Sequence, residues 1–423
     1  MPSSITIPPR PLFDTLQSFL AAPEDYAADR PAIREYLDLF RPLDAHADMM
    51  HVRSFLKSYS GVPTTFKNYR CHAERLLLWC WIIQGKSLLQ IVRSDAEAFM
   101  DFTMNPPSAW VGDAVRQRFL PSDGQFVFNK QWRPFGTQVK KIDRKRATEN
   151  AVDFEKAQYK ISKGSVKLVF SICSSLFDYL AQEDVPVGNP FKAIKQKSKY
   201  TSKIRSRRTG KSLTQLQWDY LIDVAEKMAD ENPKHERTLF IVVSLFAMYL
   251  RVSDLSGLHG WTPTMGSFFK DQHGWWFKVV GKGNKEAEIT VKPSFLPYLT
   301  RYRKSRKLSD LPYIGETTPL LVKQSGKAGI TDRHIRVIVQ MAFDRARAEM
   351  LKEGRTEDEA QSFLTASLHW LRHTGATFDA PFREKKHLQM DLRHESLSTT
   401  EDIYYNDQAE ERASSSHGLE IRK

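Results

Sequence analysis

The sequence predicts a mainly α protein with a small antiparallel β-sheet, divided into a helical domain and an α/β domain. Three observations lead there. The 423 residues exceed what one hydrophobic core usually serves. Residues 192–211, KAIKQKSKYTSKIRSRRTGK, carry nine Lys or Arg and no acid. Such a stretch repels itself, cannot build a core and reads as a linker between folded parts. On both sides of it apolar residues recur at helical spacing, whereas only MGSFFK, WWFKVV and EAEITV have the short alternating character of strands.

Taken in order, the first 48 residues hold eight acids against four arginines, a net −4 in a chain of net +13. Residues 1–45 are therefore expected to form an acidic extension that meets protein or caps the next domain rather than a polyanion. A helical domain follows over 46–191. TTFKNYRCHAERLLLWCWIIQG gives one amphipathic helix, and RSDAEAFMDFTM a shorter one capped by Ser94 or Asp95. SVKLVFSICSSLFDYLAQED gives another, stopped by the prolines and glycine of VPVGNP. A basic insert, about 105–155, mixes aromatics with Lys130, Arg133, Lys140, Lys141, Arg144, Lys145 and Arg146. It reads equally as a solvated loop or a polyanion-contacting one.

After the linker, the second domain over 212–423 opens at SLTQLQWDYLIDVAEKM, where Thr214 and Gln217 make a capping box. LFIVVSLFAMYL, Leu239 to Leu250, is too short to span a bilayer and reads as a buried helix. The three strand-like segments come next, and helices return from TDRHIRVIVQMAFDRA to the end.

A charge of +13 with a pI near 9.4 favours a polyanionic partner, of which nucleic acid is the commonest for a basic protein. Cys71, Cys80 and Cys173 form no CxxC pair, which argues against a zinc knuckle or a disulfide framework. The opening MPSSITIPPRPLFDTLQ lacks a basic-then-apolar leader, so a cytoplasmic protein without membrane contact is expected.

Four segments carry chemistry. Arg251 ends the most apolar helix, where a guanidinium needs a carboxylate or an external anion, and Asp254 is its expected partner. In LHWLRHTGATF, residues 368–378, His369, Arg372 and His373 share one helical face. His369 and His373 have the spacing of the zinc motif HExxH, but the position of its glutamate is Trp370, so the metal reading fails. A phosphate suits the cluster, because arginine can give its oxygens two parallel hydrogen bonds. LRHESLSTTEDIYYND adds His394 and, ten and eleven residues later, Tyr404 and Tyr405. Tyrosine is a poor nucleophile unless a base and a cationic pocket help its phenolate form. Arg251, Arg372, His369 and His394 would make that pocket, and Lys282 in the GKGN turn could supply an acid to a leaving oxygen.

The ordered series YLRVSDLSGL, VVGKGNKEAEITV, HWLRHTGAT and LRHESLSTTEDIYY resembles the tyrosine recombinases, the phage-integrase and Xer-like family, from about Ser212 to Tyr405. The upstream helices resemble the family's helical core-binding (SAM-like) domain. The resemblance implies a clamp around double-stranded DNA. In it Arg251 and Arg372 hold the scissile phosphate, Lys282 acts as general acid toward the 5′-hydroxyl and His369 assists proton transfer from the tyrosine. His394 would bind the phosphate, and Tyr404 would attack it to form a 3′-phosphotyrosine link. No cofactor, metal or ATP is implied, because the phosphodiester energy stays in that link. The implied activity is site-specific recombination through a Holliday junction, by four protomers on two DNA sites, for integration, excision or resolution of a DNA element, with accessory proteins as further partners. The linker would cross the phosphate backbone, with Lys199, Lys203, Arg205, Arg207, Arg208 and Lys211 as DNA-binding residues.

Three departures from the family pattern stand out. Arg393 replaces the usual glycine before the third-motif histidine. The interval from His394 to Tyr404 is ten residues rather than nine, so the helix bearing the nucleophile must bulge or start differently, which leaves Tyr405 in contention. Ala287 stands where the family tends to place arginine after GKGNKE. Lys285 rivals Lys282 as the acid. A type IB topoisomerase or a telomere resolvase would use the same chemistry, and a non-catalytic DNA-binding protein could keep the fold.

Overall fold

The computed structural model describes residues 7–122, 125–137, 158–196, 198–201, 211–258, 260–281, 283, 285–323 and 325–405. The chain divides into two compact units, Met1–Ser206 and Arg207–Lys423.

The first unit is built on α1 (Pro31–Asp38), α2 (Ala45–Ser58), α3 (Pro63–Trp79), α4 (Arg93–Met104) and α5 (Lys163–Gln182). Helices α2, α3 and α5 pack on one another. Of all the described helices only α5 is long and apolar enough to cross a membrane, and here Val166, Val169, Ile172, Leu176 and Leu180 are buried in the unit's core. Helix α4 is not capped by Ser94. Asp95, three residues in, accepts from the Val92 N–H at 2.9 Å and pairs with Lys86.

The acidic segment is no detached extension from Ile7 onward. Leu12, Phe13, Phe19, Tyr26, Ile33 and Leu37 lie in the same core as α2 and α3. Glu74, buried on α3, accepts from the backbone N–H groups of Leu12 and Phe13 at 2.9 and 3.1 Å and pairs with Arg118. Buried carboxylates persist only when satisfied in this way.

The first half of the basic insert is folded too. Strands β1 (Val111–Gly112) and β4 (Phe135–Gly136) pair in parallel, and β2 (Phe119–Ser122) forms a hairpin with β3 (Gln125–Phe128). Trp110, Trp132 and Phe135 anchor this part in the core, which is why it is not a solvated loop. Lys140, Lys141, Arg144, Lys145 and Arg146 lie outside the described residues.

In the second unit, α6 (Gln215–Glu231) has the expected cap. The Thr214 hydroxyl accepts from Gln217 N–H, and the Gln217 side chain accepts from Thr214 N–H. Helix α7 (Glu236–Ala247) is apolar all round because it sits between α6, α8 (Asp332–Lys352) and α9 (Leu368–Asp379). An antiparallel meander of β5 (Phe268–Asp271), β6 (Gly274–Val280) and β7 (Glu286–Thr290) packs Phe268, Phe277 and Ile289 into this core. The α7–α9 approach is unusually close. A Cβ added at Gly375 would stand 2.1 Å from the Phe246 carbonyl oxygen. That proximity sets the helix carrying His369, Arg372 and His373 against the helix leading to Arg251.

Candidate active site

Beyond α7 the chain turns sharply at Tyr249, a non-glycine residue at φ 50°. Left-handed backbone costs an L-residue about 1–2 kcal/mol. Tyr249 offsets that cost at both ends. Its carbonyl accepts from the Arg372 guanidinium, and its hydroxyl donates to Asp379, which also pairs with Lys292. The turn delivers Arg251 to the first position before the short helix Val252–Ser256.

Asp254 does not pair with the Arg251 guanidinium as the sequence suggested. Its carboxylate accepts from the Arg251 backbone N–H at 2.7 Å and forms a two-pronged ion pair with Arg393. The Arg251 guanidinium instead donates to the carbonyls of Leu392 and Arg393, both at 3.3 Å. Arg393 ends α10 (Lys385–Leu392) at φ 52°, the left-handed position where glycine is the least costly residue. The arginine is kept there by its pairing with the buried Asp254 and is not a free phosphate ligand.

Arg372 is almost wholly buried. It donates to the carbonyls of Tyr249 and Leu392. Burial, with Arg251 and Arg393 nearby, pushes its pKa down to about 9, so it remains charged at neutral pH. The guanidinium has five N–H donors, so two carbonyls leave the remainder for a ligand.

Three histidines surround these arginines. His369 and His373 meet edge to face with ring centroids 4.3 Å apart. The His394 Nδ1 bonds to the buried Thr400 hydroxyl at 2.9 Å, which leaves Nε2 available to a ligand. Burial first, then the arginines, lowers the pKa of His369 and pushes that of His394 down to about 4. For His373, burial, His369, Arg372, Lys211 and His394 lower it to about 3. All three rings are therefore neutral at pH 7, and the fixed positive charge belongs to the arginines.

The two tyrosines part company. Tyr404 bonds through its hydroxyl to His373 Nδ1 at 2.7 Å, and its ring lies parallel to that of His394 at 6.3 Å. Tyr405 donates instead to the Arg383 carbonyl at 2.8 Å. Burial pushes the Tyr404 pKa up to about 12, opposed by Arg372. The ten-residue interval is taken up where the helix Leu397–Thr400 runs into a π-helical turn, Glu401–Tyr405. A single extra residue is what such a turn accommodates.

Of the residues expected at the site, the structure thus brings Arg251, His369, Arg372, His394 and Tyr404 together. Lys282 lies outside the described residues, as do Lys203, Arg205, Arg207 and Arg208. Lys199 is paired with Asp101 at 2.9 Å and lies over the Tyr200 ring. Lys211 is exposed and near enough to His369 and His373 to lower their proton affinity. Sequence reasoning placed His373 on the right face but gave it no partner. Tyr249 went unnoticed, since nothing in a tyrosine's identity announces a left-handed backbone.

No family model matches the sequence, and no curated protein matches it. Solved structures do resemble it. One is XerH, a site-specific recombinase bound to difH substrate in a pre-cleavage complex, at a TM-score of 0.52 and 14% identity, covering 96% of this chain and 93% of that one. Another is the Tn1549 transposon integrase in complex with transposon right end DNA, at a TM-score of 0.50 and 16% identity, covering 87% of this chain and 98% of that one. With these likenesses covering 96% and 87% of its length, this chain has the fold of the tyrosine recombinases.

Proposed function

We propose that this protein is a site-specific DNA recombinase that breaks and rejoins strands through a 3′-phosphotyrosine intermediate. The observation that carries the reading is the convergence of Arg251, Arg372, His369 and His394 around Tyr404, with Tyr405 bonded elsewhere. Arg251 and Arg372 would bind the non-bridging oxygens of a DNA phosphate and stabilise the charge that builds on them during attack. His394, fixed through Thr400, would donate to the same phosphate. Tyr404 would attack phosphorus, and Lys282 would protonate the departing 5′ oxygen. Rejoining reverses these steps, with the 5′-hydroxyl as nucleophile.

Duplex DNA is the proposed partner, with Lys203, Arg205, Arg207, Arg208 and Lys211 following its backbone and Lys199 joining them on release from Asp101. Four protomers on two sites, exchanging strands through a Holliday junction, complete the proposal. The test is covalent trapping in EDTA on a pool of nicked random-sequence duplexes, comparing wild type, Tyr404→Phe and Tyr405→Phe. An SDS-resistant protein–DNA adduct lost only in Tyr404→Phe is expected. Loss only in Tyr405→Phe would move the nucleophile by one residue, and tight binding with no adduct from any version would overturn the reading.

A further inference from the structure

We infer that His373 is a catalytic residue, the group that takes the proton from Tyr404 as the tyrosine attacks phosphorus, a task the resemblance assigned to His369. The inference rests on the proposed function and adds a role for a side chain not otherwise used in it.

The geometry carries the argument. Tyr404 makes its hydroxyl bond to His373 Nδ1, at 2.7 Å. The inferred tautomer is the neutral one with its proton on Nε2, in which the phenol donates and Nδ1 accepts. This is the length of a bond along which a proton can pass without rearrangement. His369 meets the His373 ring in a T-shaped contact, with centroids 4.3 Å apart, and the Tyr404 hydroxyl bonds to His373 rather than to His369. His394 has its Nδ1 committed to Thr400.

Charge makes the acceptor conditional. His373 is faced by His369 and Arg372 from its own helix, by Lys211 from the segment before α6, and by His394 and Tyr404 from the end of the chain. In the free protein burial and these neighbours keep it unprotonated, so it stands ready to accept but is a weak base. A DNA phosphate bound by Arg251 and Arg372 would cancel much of their positive field and raise the proton affinity of His373. Deprotonation of Tyr404 would thus be favoured only once a phosphate is present.

The step balances. The Tyr404 Oη–P bond forms as the P–O5′ bond breaks, the phenolic proton passes to His373 Nδ1, and the 5′ oxygen takes a proton from the general acid. In rejoining, imidazolium His373 returns its proton to Tyr404.

The test uses the full chain and the duplex that traps best from the nicked pool. Single-turnover adduct formation would be followed against pH for wild type, His373→Asn, His369→Asn and Lys282→Ala, on an ordinary strand and on one with sulfur in place of the bridging 5′ oxygen. Asparagine keeps an acceptor near the Nδ1 position but cannot take the proton. His373→Asn is expected to slow adduct formation on the order of 100-fold and to lose the low-pH inflection. The sulfur leaving group needs no protonation, so it should rescue Lys282→Ala and not His373→Asn. Unchanged DNA affinity and thermal midpoint in His373→Asn would separate this from misfolding. A wild-type rate and pH profile in His373→Asn would overturn the inference, as would loss of the inflection in His369→Asn alone. No adduct from wild type would overturn the proposed function and the inference with it.

Discussion

At the residue scale the site is a cluster of like charges held apart by backbone carbonyls. Arg251 and Arg372 each donate to carbonyl oxygens at the end of α10, and Arg393 has Asp254. The histidines answer that field by staying neutral, and this has a consequence for stability. In the unfolded chain they titrate near 6.5. In the fold His394 does so at about 4 and His373 at about 3. As pH falls below 6.5 the unfolded state binds protons that the folded state refuses, so this contribution to stability is full above that pH and is lost on acidification. The urea midpoint of the free protein should drop between pH 7 and pH 5. The slope should be shallower in His373→Asn, and an unchanged slope would show that His373 titrates alike in both states. The histidines and Tyr404 were legible from motif spacing. The Asp254–Arg393 pair was not, because Asp254 lies three residues from Arg251 and 139 from Arg393, and only the fold decides between them.

Elements carry these residues into register. The contact of α7 with α9 is set by Gly375, against which the Phe246 carbonyl rests. Replacing Gly375 with Ala would force the two helices apart, at a cost of about 1–3 kcal/mol. Because α9 holds three residues of the proposed site, the variant's loss of the proposed DNA-cleaving activity should exceed what the unfolded fraction accounts for. Urea denaturation beside single-turnover cleavage would show this, and wild-type stability would mean that the helices can yield. A helical face can be read from sequence, but the distance at which two faces meet cannot. The π turn at Glu401–Tyr405 is the opposite case. Counting ten residues from His394 to Tyr404 called for a bulge or a different helix start, and the structure has a π turn at Glu401–Tyr405.

At the scale of the whole molecule, the helical and α/β character was legible from the apolar spacing, whereas the basic run read as a coreless linker in fact sends Ile194 and Tyr200 into the first unit's core. The acidic start was expected to meet protein or cap the next domain, and its interleaved Leu12, Phe13, Phe19 and Ile33 go further, entering that unit's core. Deleting residues 1–45 would uncover that core and leave Glu74 without its two backbone donors. The truncated chain should lose the first unit's cooperative thermal transition, as followed by calorimetry, and a retained transition would make the segment dispensable. A different dependence is written into the second unit. Arg372 joins the turn after α7 to the end of α10, so the side chain proposed to hold a phosphate also ties three distant stretches of chain together. Its replacement would leave the carbonyls of Tyr249 and Leu392 in need of other donors, so a variant at this position loses part of the frame of the second unit along with any phosphate it would hold.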